Sequence, residues 1–183
     1  TEVEGAGILQ STIDNGVRQS SYDAFIAPVR DRANLVVRTD VHVRRVLAEG
    51  RAAKGVEILE GGAIRQLKAA REVILCAGAL SSPHLLMLSG IGDGAELQRH
   101  GIPRIAHLPG VGRNLQDHFS ARVQTLSTQP SSYNRDLNGW RKYWQGFKYV
   151  AAKRGYLTLS SSQAAAFVKS GPDMGWADLE ISF

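Results

Sequence analysis

The chain has 183 residues, of which 43% are hydrophobic and 21% charged, and this composition is that of a folded globular protein rather than a disordered one. Its net charge of +5 arises from 22 Lys and Arg against 17 Asp and Glu that are spread along the chain. There is no long apolar run and no apolar core of a secretion signal near the start. The sequence therefore predicts no stable membrane insertion, and a cytoplasmic location is favoured.

The segment 34–76 is rich in β-branched residues and predicts an antiparallel β-meander. Its runs are separated by the turn signals EGR and GG. In the first run Val41, Val43 and also Val46 are expected on the apolar face of a half-buried strand. The last run ends in the consecutive apolar residues 73–75, which are typical of a strand covered on both faces.

Cys76 is the only cysteine, so it cannot form an internal disulfide bond. It lies within the apolar run VILCAG, where we expect a small buried thiol.

Two helices are expected after the meander. SPHLLMLS predicts a helix with Ser82 as its N-cap, Pro83 at its first position and Gly90 as its stop. GAELQRHG predicts a second, short helix closed by Gly101. The following segment, 102–118, is rich in Pro and Gly and is expected to be an ordered surface loop.

Beyond residue 119 the composition changes, and RKYWQGFKYVAAKR predicts an amphipathic helix. Its aromatic residues are expected to pack inward and its basic residues to face solvent. The alternative is a nucleic-acid-binding module that uses the same basic and aromatic side chains. AAAFVKS and WADLEISF predict strands. A domain boundary near residue 120 would separate 1–120 from 121–183.

The small residues Ala77, Gly78 and Ala79 lie between the predicted buried strand and the predicted helix. Such a junction lets a cofactor approach the backbone closely, and the N-terminus of a helix favours phosphate. The same residues are also compatible with an ordinary tight turn that is needed only for packing.

The fifteen residues GALSSPHLLMLSGIG, 78–92, resemble the long second signature of the glucose-methanol-choline (GMC) oxidoreductases. Flanking segments support the resemblance, and SGIGDGAELQRHGIP with GVGRNLQDH is most similar to the choline dehydrogenase and alcohol dehydrogenase branch. The resemblance implies an α/β fold: part of a Rossmann-like FAD-binding domain with an antiparallel β-meander over 1–120, and the start of an α+β substrate-binding domain over 121–183.

FAD is the cofactor that the resemblance implies. Carried over residue by residue, it implies that Val43 meets the adenine and that Cys76, Ala77 and Gly78 lie near the adenosine and diphosphate. Strand packing for Val43 and turn geometry for Gly78 remain the structural alternatives.

The other polar candidates are less specific. Three polar residues near the end of the loop 102–118 either brace the domain junction or lie beside the flavin: Asn114, Asp117 and His118. The remaining histidines lack metal-ligand spacing, so no metal site is assigned: His42, His84, His100 and His107.

The resemblance implies oxidation of an alcohol by hydride transfer to the flavin, with oxygen or a quinone-like molecule as electron acceptor. The family's GxGxxG segment and its catalytic histidine are not found among these 183 residues. No catalytic residue is therefore assigned, and the isolated chain is expected to be inactive. The alternatives are a non-catalytic scaffold, the nucleic-acid-binding module, and another flavoprotein family whose fold differs after Gly92.

Overall fold

The computed structural model describes residues 4–123 and 133–182, which form two compact units. One unit is 37–122, and the other combines the residues up to 36 with those from 123 onward. The predicted domain assignment, 1–120 and 121–183, stays a prediction. The strands are β1 (Gly5–Ile8), β2 (Ile13–Asp14), β3 (Val17–Arg18), β4 (Val41–Glu49), β5 (Ala52–Glu60), β6 (Ala63–Lys68), β7 (Ile91–Gly92), β8 (Ala106–His107), β9 (Ala164–Val168) and β10 (Leu179–Ser182), and the α-helices are α1 (Gly78–Leu88), α2 (Gly94–Arg99) and α3 (Arg141–Ala152).

The unit 37–122 is built on the predicted meander, which the structure confirms. Its three antiparallel strands lie in the order β4-β5-β6. Gly61 and Gly62 join β5 to β6 as a two-residue turn, with φ of 57° and 79°. These left-handed angles suit the type I′ turn that right-twisted hairpins prefer. Val46 and Ile58 are buried in this sheet and begin the core of the unit.

A β-bulge in β4 explains the change of valine spacing from two residues to three. Val43 pairs with Ile58 and Arg45 pairs with Glu57, so Arg44 is the extra residue. Because Val46 pairs with Val56, which is two residues from Ile58, the bulge keeps Val43 and Val46 on one face of the sheet.

Glu57 holds this bulge through two ion pairs. Its carboxylate is largely buried and accepts hydrogen bonds from Arg45 at 2.9 Å and from Arg44 at 3.1 Å. The hydrogen bond from Arg45 and the charges of both guanidinium groups lower the pKa of Glu57 from its ordinary value, against the opposing effect of desolvation. The carboxylate therefore stays charged and balances two adjacent cations.

Helix α1 covers the free edge of β4. The Val46 amide donates a hydrogen bond to Ser89 Oγ at 2.8 Å, and that hydroxyl donates to the Leu85 carbonyl at 2.6 Å. A strand at a sheet edge has backbone groups that no neighbouring strand satisfies. The Ser89 side chain satisfies one of them, although it is buried at the end of a helix.

The start of α1 differs from the prediction. The helix begins at Gly78 after the N-cap Ala77, rather than at Pro83 after Ser82, so Pro83 lies inside it. Ser82 Oγ accepts a hydrogen bond from the Ala77 amide at 3.1 Å, so this hydroxyl stabilises the turn before the helix. Pro83 costs only one hydrogen bond so near the helix start. The end is as predicted, with Gly90 in the left-handed region at φ 81°.

The predicted buried strand before this helix is wrong for the described residues. Residues 73–76 are not assigned to a strand, Ile74 is 73% exposed, and Cys76 is exposed rather than buried. A strand is buried on both faces only when it pairs with neighbours and is covered by other layers. Among the described residues, no strand pairs with this segment and no layer covers both of its faces.

The predicted second helix is confirmed as α2. Asp93 caps it, because its carboxylate accepts hydrogen bonds from the amides of Ala95 and Glu96, and these bonds lower the pKa of Asp93. The buried Leu97 anchors the helix. Segment 102–118 is mostly loop, as expected, with the short β8 pairing in parallel with β7.

The other unit contains an antiparallel sheet in the order β1-β9-β10, which confirms the two predicted C-terminal strands. Asn15 and Gly16 form the turn of the β2-β3 hairpin at φ of 48° and 74°, as the Asn-Gly signal indicates. No helix in the described parts of the chain is long and apolar enough to span a bilayer.

The predicted amphipathic helix is confirmed as α3, but its predicted orientation is wrong. Gln145 is the buried residue of this helix, whereas Tyr143, Trp144 and Phe147 are exposed and Tyr149 is half-buried. The helix packs against the short helix Tyr156–Thr158 of the same unit, and a Cβ on Gly155 would lie 2.7 Å from Gln145 Oε1. The polar side of the helix therefore faces its own unit.

Replacing Ser89 by Ala should destabilise the unit 37–122. The Val46 amide would lose its acceptor while remaining buried, which costs about 1–3 kcal/mol. Urea unfolding of Ser89→Ala and of the control Ser81→Ala, an exposed serine of the same helix, measures this cost. Equal stability of the two variants would contradict the proposed role of the hydroxyl.

Replacing Glu57 by Gln should lower stability near neutral pH and change its pH dependence. The folded-state pKa of Glu57 lies below the ordinary 4.5, so its contribution is fully present above pH 4.5 and is lost as pH falls through the folded pKa. Unfolding measured across this range should therefore show the wild type and Glu57→Gln converging in acid. The matched control is Glu49→Gln, at the exposed end of β4, and a constant difference between wild type and Glu57→Gln would contradict the prediction.

Candidate cofactor site

The N-terminal end of α1 is the first part of the candidate site. Cys76, Ala77 and Gly78 are all exposed there. Gly78 has φ of 83°, and a Cβ added to it would meet no heavy atom within 4 Å. The backbone at the helix start therefore borders open space, which a bound molecule could fill.

The electrostatics of this helix end favour an anion. No side chain caps the helix at Ala77, and its first turn contains no acidic residue. The first amides of an α-helix have no partner inside the helix, and the helix dipole makes this end positive. Ser82 satisfies only the amide of Ala77. The remaining amides are suited to a phosphate group or another anion.

Val43 is the second part of the candidate site and belongs to the same unit. It is 37% exposed on β4, the edge strand that α1 covers. The contact between Ser89 and Val46 joins these two elements. Val43 on β4, Gly78 at the start of α1, and Cys76 and Ala77 immediately before it therefore belong to one unit.

A hollow of about 460 Å³ lies on the polar side of β4, and it does not include the predicted residues. Arg44 and Arg45 line it, together with Glu57, which holds both guanidinium groups in ion pairs. Both guanidinium groups already form ion pairs with a carboxylate of the protein, so the hollow is less suited to an anion than the end of α1.

The loop residues considered in the sequence have local roles in the structure. Asn114 adopts a left-handed conformation at φ 55°, and the Asp117 carboxylate accepts a hydrogen bond from the His118 amide at 2.7 Å. These features are local to the loop. The alternative, that the loop lies beside the flavin, stays a prediction.

The remaining histidines occupy separate environments. His42 and His84 are exposed, His100 is 3.1 Å from Glu96, and His107 Nδ1 accepts a hydrogen bond from the Gly94 amide at 3.0 Å. Within 4–123 and 133–182, no group of three His, Cys, Asp or Glu side chains could hold a metal ion.

Two features of the site were missed by the sequence analysis. The bulge at Arg44 could have been inferred from the valine spacing, which changes from two to three residues. The bond from Ala77 to Ser82 had no such signal, because serine is a typical N-cap residue and Ser82 therefore predicted a helix start five residues too late.

Comparison with known proteins agrees with the resemblance in the sequence. The family profile described as GMC oxidoreductase matches residues 1–120. Oxygen-dependent choline dehydrogenase from Brucella canis is 39% identical over 180 residues, which are 98% of this chain and 33% of that protein. The chain thus spans about a third of the length of this curated relative.

Solved structures also resemble this chain. A formate oxidase crystal structure matches with a TM-score of 0.78 at 31% identity. The match covers 91% of this chain and 29% of the formate oxidase chain. An FAD-dependent oxidoreductase from Chaetomium thermophilum matches with a TM-score of 0.77 at 28% identity. This match covers 91% of this chain and 30% of the oxidoreductase chain.

The similarity confirms the predicted fold class, an α/β fold of the kind found in FAD-binding oxidoreductases. The expected cofactor is also confirmed at the level of the family. One neighbour is named as FAD-dependent, and the formate oxidase of Aspergillus oryzae RIB40 is described by its FAD modification. From the profile over 1–120 and the identity over nearly its whole length, the chain belongs to the GMC oxidoreductase family.

Proposed function

We propose that this chain forms part of an FAD-dependent enzyme that oxidises alcohols. Its role in that enzyme is to bind the adenosine and diphosphate of FAD. One observation carries the proposal: the family signature at 78–92 begins as an exposed helix end without a capping side chain.

The residues at this end fit an FAD diphosphate. Gly78 leaves open space beside the backbone, so a phosphate could approach the first amides of α1 without meeting a side chain. The positive end of the helix would stabilise the negative charge. Cys76 and Ala77 would line the same approach.

Val43 would contact the adenine. Adenine is a flat aromatic ring with apolar faces and a polar edge, so an apolar side chain suits its faces and backbone groups suit its edge. Val43 offers a partly exposed apolar side chain on an edge strand, and the bulge beside it determines which face that side chain occupies.

When bound, the flavin supplies the redox chemistry, accepting hydride from the alcohol carbon. The substrate is proposed to be an alcohol, and the electron acceptor oxygen or a quinone-like molecule. These proposals rest on family membership and on the name of the Brucella canis relative. No described residue is proposed to remove the hydroxyl proton, and the 183 residues alone are proposed not to catalyse the reaction.

Gly78→Ala should weaken FAD binding about tenfold, because the new methyl group would lie where the diphosphate approaches. Gly61→Ala is the matched control, since Gly61 also has a left-handed φ of 57° and open space around it. Both variants carry the same kind of backbone strain, about 1–2 kcal/mol. Quenching of flavin fluorescence during titration with protein would measure both affinities.

Three outcomes are informative. Weaker binding by Gly78→Ala alone supports the assignment of Gly78. Equal weakening by both variants attributes the effect to lost stability and contradicts that assignment. No binding of FAD by the wild-type chain overturns the proposal that this chain forms the adenosine side of the site.

A further inference from the structure

Helix α3 presents a continuous aromatic face that its own unit leaves open. Five residues form this face, at positions that the helical period brings to one side. Each is at least half exposed: Trp140 73%, Tyr143 72%, Trp144 50%, Phe147 59% and Val150 75%. We name these five residues the aromatic face. Large apolar side chains gathered on one exposed helix face mark an interaction site.

The aromatic face is open because the opposite side of the helix is used for packing. Gln145 is buried against the unit, and the helix end at Lys153 adopts a left-handed conformation that turns the chain towards the short helix Tyr156–Thr158. Helix α3 is therefore held by its polar side. The aromatic face points away from the contacts that hold the helix.

Five cations flank the aromatic face, and 137–155 contains no acidic residue. One of them, Arg141, forms a long ion pair with Asp136, at 3.8 Å. Several lie over the rings of neighbouring aromatic residues, with Lys142 5.1 Å from the Tyr143 ring and Lys148 5.7 Å from the Trp144 ring. The cations are Arg141, Lys142, Lys148, Lys153 and Arg154.

The chemistry of this helix discriminates between possible partners. A second copy of the chain would bring two strongly positive faces together, which repel one another. A nucleic acid would stack its bases on free ring faces, but Trp144 and Phe147 each cover one face of the other ring, with their centroids 5.4 Å apart and their planes at 16°. A membrane surface requires neither symmetry nor free ring faces.

We infer that α3 docks onto the surface of an anionic lipid bilayer. Trp, Tyr and Phe side chains partition into the boundary between headgroups and acyl chains, while Lys and Arg reach anionic headgroups. The helix would lie in the plane of the surface, with the aromatic face down and Gln145 towards the protein. This docking requires no flavin, so it can be tested independently of the proposed oxidoreductase function.

The test measures binding of the chain to vesicles of phosphatidylcholine alone and of phosphatidylcholine with phosphatidylserine, by sedimentation and by tryptophan fluorescence. Binding should be stronger to the anionic vesicles, should weaken with salt, and should shift the fluorescence to shorter wavelength. Trp144→Ala/Phe147→Ala should weaken it at least about tenfold, because two aromatic side chains lose their burial.

A second pair of variants tests the charges. Lys142→Gln/Lys148→Gln should weaken binding to anionic vesicles about fivefold for each lysine, with little effect on neutral vesicles. Trp176→Ala is the matched control, because Trp176 is 72% exposed but lies outside α3. This control should bind like the wild type.

Four results would overturn the inference. The first is no binding to anionic vesicles at low salt, and the second is equal binding by the wild type and Trp144→Ala/Phe147→Ala. The third is self-association that only the aromatic variant abolishes, which would identify a second copy as the partner. The fourth is salt-sensitive binding to a nucleic acid, lost in the aromatic variant, without binding to vesicles.

Discussion

The hydroxyl of Ser89 is the contact on which the arrangement of 37–122 depends. It accepts a hydrogen bond from the free edge of β4 and donates one to the Leu85 carbonyl in the last turn of α1. A helix is rigid, so fixing its C-terminal end also fixes its N-terminal end, about 15 Å away at 1.5 Å per residue. The direction of the open amides near Gly78 is thus determined by a contact at the other end of the helix.

The bulge in β4 imposes the second constraint. Two adjacent arginines on a strand repel each other, and a bulge leaves one of them without a pairing partner. The buried carboxylate of Glu57 resolves both problems, because it binds both guanidinium groups from the neighbouring strand. As a result Val43 remains on the same face as the buried Val46, and a valine outside the core is available to a ligand.

Two exposed apolar segments differ in chemistry and therefore in the partners that suit them. Residues 73–76 are uncharged and contain β-branched side chains, a composition that suits burial within a protein layer. The aromatic face of α3 is bordered by cations, a combination that suits the boundary between water and lipid. Exposure alone does not distinguish these cases, but the charges around each segment do.

The sequence by itself determined the family and several of the elements. Local signals predicted the meander, helix α2, helix α3 and the end of α1, because alternation, turn residues and helix stops act over a few positions. The signature at 78–92 predicted the family, and the candidate residues followed from it. Only the tertiary structure decided burial and exposure, since these depend on which elements meet. Residues 73–76 lack covering neighbours among the described residues, and α3 packs through Gln145 rather than through its aromatic face. The periodicity of a helix identifies its two faces, but only its neighbours determine which face is buried.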